Sequence, residues 1–247
     1  MSLASELGRV CVVLSAPRNP LNIGAAARAM SNFGFQDLRV VNAWEVSFRE
    51  ARSAVGAPQL LASAAEHTSV AEGVAGCTLV VGTTAGHNRD LQHTLRSLKS
   101  GAGMIHKHLA RNKNNSVALL FGSEKRGLSN ADLSHCHWLL TIPTREEHVS
   151  MNLGQAVAVC LYELSQLPAS RIATKAAKTA AITPASADDL ERITGLLIEV
   201  LRASGYLSAQ SAEEKIRRMV HRLNLTAPDA ELWLGILRRI AWKLHSL

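Results

Sequence analysis

Five short, nearly continuous apolar runs dominate the first two-thirds of the chain: Val10–Leu14, Leu38–Asn42, Thr78–Gly82, Val117–Phe121 and Trp138–Ile142. Each has the length of one strand, and none alternates apolar with polar residues. A strand that is apolar on both sides must be covered on both faces, which is the situation of a parallel sheet flanked by helices. Helical spacing of apolar residues appears between these runs, over Ile23–Phe33, Met104–Ala110 and Leu153–Leu164. The alternation predicts an α/β fold with crossover helices.

The pattern stops at Pro168. From there to Ala187 large apolar residues almost vanish, and Pro168 and Pro184 bracket an Ala, Thr and Lys-rich stretch. Such a composition reads as a basic linker. The predicted organisation is therefore a domain over 1–167, a linker over 168–187 and a helical module over 188–247. Three stripes mark the module: Leu190, Ile193, Leu197, Val200 and Leu201; Ile216, Met219, Val220 and Leu223; and Trp233, Ile236, Leu237, Ile240 and Leu244. Ser186-Ala-Asp-Asp189 has the form of an N-cap before the first stripe, and Gly205 the form of a stop after it.

An apolar content of 47% with 19% charged residues belongs to a globular chain rather than a disordered or fibrous one. No run approaches the roughly 18 apolar residues of a membrane span. The start, Met1–Glu6, has no basic segment followed by an apolar core, so a cytoplasmic protein is expected. Cys11, Cys77, Cys136 and Cys160 form no CxxC pair, and reduced, buried thiols are the expectation. The net charge is +7. It is concentrated over Gly86–Asn115, where Arg89, Arg96, Lys99, Lys107, Arg111 and Lys113 face only Asp90, with His87, His93, His106 and His108 alongside. That cluster suits either a nucleic-acid contact or an ordinary solvated face. The pairs His106/His108 and His135/His137 lack third and fourth partners at a recognisable metal-site spacing, so no metal is expected.

Neither the Rossmann glycine fingerprint nor a P-loop is present, which argues against dinucleotide and nucleoside-triphosphate enzymes. Three other segments carry more information. In Asn19-Pro-Leu-Asn-Ile-Gly-Ala-Ala-Ala-Arg28, Gly24 and the alanines allow close backbone approach. Arg28 lies one turn beyond Gly24, and Asn22 is placed to cap the helix or hold a ligand. In Leu120-Phe-Gly-Ser-Glu-Lys-Arg-Gly-Leu128, Gly122 and Gly127 bracket Glu124 at the carboxyl end of a strand, where open α/β sheets bind ligands. In Thr141–Ala156, a strand ends near Ile142, and Ser150 or Asn152 opens a helix with unpaired N–H groups. Each segment alone is equally compatible with packing or a plain turn.

Taken in order, the three segments resemble the signature motifs of the SpoU (TrmH) family of SPOUT RNA 2′-O-methyltransferases. Asn22, Gly24 and Arg28 match the first motif. Phe121, Gly122, Glu124, Gly127 and Leu128 match the second, and Ser150, Met151 and Asn152 the third. Val80-Val-Gly-Thr-Thr-Ala85 is similar to the strand and loop before the family's variable region. Asp188-Asp-Leu-Glu-Arg192 and Lys215-Ile-Arg-Arg-Met219 resemble the helical extension of the TrmJ branch. Two positions depart from the pattern: Gly86 and Leu234 stand where relatives often carry Arg.

The resemblance implies a parallel sheet with a deep trefoil knot, a small C-terminal helical module and an obligate homodimer with its sites at the interface. It implies S-adenosylmethionine as cofactor, held by Thr83, Thr84, Ala85, Gly122, Gly127, Ile142, Ser150, Met151 and Asn152. It implies catalytic roles for Arg28, Asn22, Glu124 and Asn152. The substrate implied is tRNA, at the 2′-OH of nucleotide 32 of the anticodon loop, with Arg89, Arg96, Lys99, Lys107 and Arg111 as candidate RNA contacts. Arg28 would act as a base, or as a cation pairing a phosphate and a developing alkoxide. The competing expectations are methylation of ribosomal RNA or another tRNA position, a non-catalytic RNA-binding relative, and a Rossmann-type binding protein.

Overall fold

The computed structural model describes residues 6–43, 56–86, 92–166, 183–207 and 211–245. Seven strands form one sheet, and all of its pairings are parallel: β1 (Val10–Ser15), β2 (Asp37–Val41), β3 (Ala65–His67), β4 (Leu79–Thr83), β5 (Leu95–Ser97), β6 (Val117–Phe121) and β7 (Trp138–Thr141). The spatial order is β3-β2-β1-β6-β4-β7-β5. All five apolar runs are strands, and the two-sided burial they imply is observed. Val10, Val12 and Leu14 enter one apolar cluster with Val117, Leu119 and Phe121. Cys11 and Val13 enter a second with Ala118 and Leu120. The parity of a strand thus sorts its residues between two cores, each sealed by its own helices.

The helices of the first domain are α1 (Pro20–Phe33), α2 (Pro58–Ala62), α3 (Val70–Val74), α4 (Leu98–Arg111), α5 (Asn130–Ser134) and α6 (Leu153–Gln166). Helix α1 starts three residues before its expected first residue. Asn19 is the cap, its Oδ1 accepting the Leu21 N–H at 2.9 Å, and Pro20 tolerates a first turn in which its missing N–H matters least. Gly34, at φ +79°, closes the helix in the left-handed region. Helix α4 starts six residues earlier than predicted. Its first turns carry small residues because Gly101 lies against Leu140 and Trp138, where a Cβ would come within 2.9 Å of a side chain. Strands β3 and β5 were not predicted. They are three-residue edge strands of mixed polarity, with no apolar run to announce them.

Three further helices follow: α7 (Ala187–Ala203), α8 (Ser211–Arg222) and α9 (Ala227–His245). The expected cap is a full capping box. Ser186 Oγ accepts the Asp189 N–H at 3.2 Å and Asp189 Oδ2 accepts the Ser186 N–H at 3.3 Å. Gly205 has φ +75° at the end of α7, as expected. Of the linker expected over 168–187, residues 168–182 lie outside the described residues. The remainder is packed: Ala185 and Ala187 are buried, and the Ala187 N–H donates to the Cys77 carbonyl at 2.7 Å. Asn112 Nδ2 donates to Thr183 Oγ1 at 3.0 Å, a second tie between module and sheet domain.

Two of the three helical stripes are displaced from the expected face. On α9 the buried residues are Ala230, Leu234, Leu237 and Ala241, while Trp233, Ile236 and Ile240 are exposed. Small alanines let α9 approach α7 closely, and that contact outweighs burial of the larger side chains. On α8, Val220 is buried but Met219 and Leu223 are exposed, and His221 takes the inner position instead. Among the described residues no helix is long and apolar enough to cross a membrane.

Candidate active site

A cavity of about 340 Å³ opens at the carboxyl ends of β4, β6 and β7. Three turns build it. The first follows β4, where Thr83 Oγ1 donates to the Leu120 carbonyl at 3.0 Å and the Thr84 N–H to the Leu140 carbonyl at 2.9 Å. Gly86, at φ +79°, ends this turn, its N–H donating to Thr84 Oγ1 at 3.2 Å.

The second turn leaves β6. The Gly127 N–H donates to the Ser123 carbonyl at 2.8 Å, so the segment folds back on itself. A Cβ at Gly122 would sit 2.0 Å from the Gly127 carbonyl carbon and 2.1 Å from the Leu128 nitrogen. These are backbone atoms that no rotamer change can move, so position 122 admits only glycine. Gly127 itself has φ +66°. The third turn follows β7 and runs through Ile142, Thr144 and a single 3₁₀ turn, Glu146–His148, to Asn152. There Asn152 Oδ1 accepts the Gly154 N–H at 2.9 Å and caps α6.

All eight of Thr83, Thr84, Ala85, Gly122, Gly127, Ile142, Ser150 and Met151 line the cavity. Asn152 does not. It belongs to a polar chain beside the cavity in which Asn152 Nδ2 donates to Asn22 Oδ1 at 2.8 Å and Asn22 Nδ2 donates to Glu124 Oε1 at 2.8 Å. Glu124 also accepts the backbone N–H groups of Arg18 at 3.0 Å and Asn19 at 3.2 Å. Partial burial pushes the Glu124 carboxyl upward, but the bonds from Asn22, the backbone of Glu124 itself, Arg18 and Asn19 outweigh it and leave the group below its ordinary value. Three expected site residues are thereby joined, one from each motif. Asn22 is not the helix cap: Asn19 is, which frees the Asn22 amide to bridge.

Arg28 is not in this chain's cavity. It lies six residues beyond Asn22, about 9 Å along the helix axis at 1.5 Å per residue. Its side chain is exposed, with no hydrogen bond or ion pair among the described residues. Leu21 and Tyr162 are also exposed nearby, on α1 and on α6, the helix that packs against it. That packing is close at Gly154, where a Cβ would come within 2.6 Å of the Ala25 Cβ.

The basic cluster divides. Lys99, Lys107 and Arg111 are exposed on α4, and Arg96 is half-buried over the Trp138 ring at 5.7 Å. Arg89 lies outside the described residues, as does His87. The remaining histidines do not join a basic surface. His106 is buried and bonds the Leu164 carbonyl at 2.8 Å, and His108 bonds Thr78 at 2.8 Å. His106 and His108 are two residues apart on a helix, about 200° around its axis, and so cannot share a ligand. Sequence reasoning missed Ser123, Lys125, Arg126, Thr144 and Val149, which line the cavity. Their adjacency to the three motifs was the available signal, and the two cations give the rim a positive edge.

Among known proteins, residues 9–162 match the model of the SpoU rRNA Methylase family. The chain is 33% identical over 242 residues to the tRNA (cytidine/uridine-2′-O-)-methyltransferase TrmJ of Salmonella typhimurium, covering 95% of this chain and 97% of that one. Its structure is similar to that of TrmJ from Z. mobilis ZM4, with a TM-score of 0.80 and 29% identity over 93% of this chain and 98% of that chain. A probable methylase family protein from Haemophilus influenzae Rd KW20 aligns with a TM-score of 0.60 and 27% identity over 97% and 98%. With the three motifs gathered around one cavity and the family model covering most of the sheet domain, the chain belongs to the SpoU methylase family.

Proposed function

We propose that this chain is an S-adenosylmethionine-dependent tRNA methyltransferase that modifies a ribose 2′-OH, at nucleotide 32 of the anticodon loop. The observation that carries this reading is the convergence of three turns from separate strands on one cavity, with Glu124 in its lining and Asn22 and Asn152 bonded in series to it. The similarity to TrmJ proteins named as cytidine/uridine-2′-O-methyltransferases over 95% of the chain supports the reaction class.

The cavity fits the cofactor. Its volume lies within the range of small-molecule sites, and its lining mixes Thr83, Thr84, Ser123 and Ser150 with Leu128, Leu140, Ile142 and Met151. Gly122 lets the backbone of Gly127 and Leu128 fold tightly against the end of β6, which fixes the shape of the turn that lines the cavity. When bound, S-adenosylmethionine supplies an electrophilic methyl group whose sulfonium charge disappears on transfer. The chain's own task is to align the ribose hydroxyl and stabilise it as its proton departs. A guanidinium holds its protons at any working pH. Arg28 therefore acts as a cation, pairing the neighbouring phosphate and the developing alkoxide. Asn22, fixed between Glu124 and Asn152, orients the ribose or the guanidinium.

The exposed position of Arg28 fits a homodimer in which α1 of one protomer presents this side chain to the other's cavity. The knot expected of the family is compatible with a sheet in which β4 lies between β6 and β7. The exposed Lys99, Lys107 and Arg111 on α4 offer phosphate contacts.

The test is incubation with labelled S-adenosylmethionine and total tRNA, followed by mapping of methylated riboses. Label at nucleotide 32 supports the reading. Label at another tRNA position, or in ribosomal RNA only, rejects the proposed target. Arg28→Ala abolishes transfer and leaves cofactor binding by calorimetry intact, and loss of both rejects the role given to Arg28. Mixing Arg28→Ala protomers with cavity-defective Gly122→Val protomers restores activity if the site is shared between chains.

A further inference from the structure

The docking face between the sheet domain and the helical module is built from histidines. His221 of α8 is 2% exposed, and neither of its ring nitrogens has a hydrogen-bond partner. Its ring meets that of His137 edge-on, with centroids 4.9 Å apart and planes at 87°. His137, just before β7, accepts the Val80 N–H with Nδ1 at 3.1 Å. That nitrogen must be unprotonated for the bond to exist, and a proton added there faces another donor. His135 Nδ1 lies 3.5 Å from Glu191 of α7. His93, ahead of β5, bonds the Leu133 carbonyl, while its Nε2 is buried without a partner.

The fixed charges near these rings are mostly arginines, and the other neighbours are histidines that would repel one another once charged. Facing His221 are His137, His135, Arg217 and His93. His93 faces Arg218 and Arg222, and His137 faces His108, which in turn faces Arg111 and Arg9. The acids are Glu191 and Asp132, both beside His135, and Glu214, which pairs with Arg218. Glu191 is already engaged by Arg217 through two bonds of 2.8 and 2.9 Å. A proton on His93, His135 or His221 meets an arginine, a proton on His137 meets other rings that charge in turn, and few free carboxylates offset either. No three His, Cys, Asp or Glu side chains converge on a metal-sized point among the described residues.

We propose that His93, His135, His137 and His221 form a proton-operated latch: neutral, they hold the helical module against the sheet domain, and their protonation releases it. Burial, with nearby arginines for His93 and His135 and with His108 for His137, holds these three down to about 4, and burial with the neighbouring histidines and Arg217 pushes His221 well below its ordinary value. The sign follows from linkage. Groups held below their ordinary value of about 6.5 favour docking fully above that pH. Their contribution then falls progressively as pH drops from there toward 4, because the released form takes up protons that the docked form does not. Several rings acting together make the release steep.

Hydrogen–deuterium exchange of the full chain from pH 7.5 to 4.5, corrected for intrinsic rates, tests this. Amides of α7 and α8, including that of Ala187, are expected to lose at least tenfold in protection between pH 6.5 and 4.5 while those of β1, β4 and β6 keep theirs. Protection that is unchanged across this range, or lost simultaneously from the sheet, overturns the proposal. In His137→Phe/His221→Leu the loss moves to lower pH, and an unmoved transition also overturns it. Should that variant not fold, the wild-type exchange profile with an NMR titration of the four rings decides alone. Four rings that titrate near their ordinary value reject the latch.

Discussion

The cavity and the helical module solve the problem of holding elements together in opposite ways. At the cavity, position is set by backbone meeting backbone. Gly122 lies where a Cβ would strike a carbonyl carbon, Gly127 needs a positive φ, and Asn152, Asn22 and Glu124 are joined by bonds of 2.8 Å. At the module, position is set by side chains. Ala230, Leu234 and Leu237 pack inward, and a histidine cluster faces the sheet domain. The first arrangement has one geometry and no tolerance. The second can part and re-form, because it rests on side-chain packing and a few hydrogen bonds, such as that from the Ala187 N–H to the Cys77 carbonyl, which water can replace.

Gly122→Ala should break the first arrangement most severely. The second turn must open, and transfer should fall by at least about 100-fold with loss of cofactor binding, read by calorimetry and single-turnover assay. Retained binding would mean that the turn is softer than its contacts imply. Within the module, Leu237→Ala should cost about 2–5 kcal/mol in urea unfolding. The neighbouring Ile236→Ala should change stability by no more than about 0.5 kcal/mol. Equal effects would put the wrong face of α9 inside.

Glu124→Gln keeps the shape but weakens the bonds from Arg18, Asn19 and Asn22. A loss of about tenfold to a hundredfold in kcat, with KM for the cofactor little changed, is expected. The pH dependence separates the two forms. Glu124 sits below its ordinary value, so its contribution is complete above the normal carboxylate range and disappears as pH falls through its own lower value. The Gln variant should lack that acid limb in thermal unfolding. A smaller effect than that of Leu237→Ala belongs to Ser186→Ala, which removes half of a capping box and should cost about 1 kcal/mol, visible as faster exchange in α7.

The five inner strands were legible because a parallel strand covered on both faces is apolar on both sides, a pattern no surface helix shares. The Ser186 cap was legible because its chemistry is local. The α9 stripe was not. Trp233 and Ile236 outrank Ala230 and Ala241 in hydrophobicity, and only the proximity of α7 decides between them. The three motifs could be read as a set, yet nothing in their spacing revealed that Asn22 would bridge Glu124 and Asn152. The direction in which Arg28 points depends on how α1 lies on α6, through Ala25 and Gly154. The histidine cluster was not legible as a cluster, since His93, the His135/His137 pair and His221 come from three separate stretches and only the docked module assembles them.

The strand order has a consequence for synthesis. Strand β1 pairs with β2 early, but its other edge waits for β6, whose register begins at Val10 with Val117. From Val41 to Val117 the ribosome needs several seconds, on the order of 4–15 s at usual elongation rates. Through that interval the nascent chain carries a bare apolar edge that any passing extended peptide can join. Slow codons in this stretch should lengthen the exposure and raise the demand on holding chaperones.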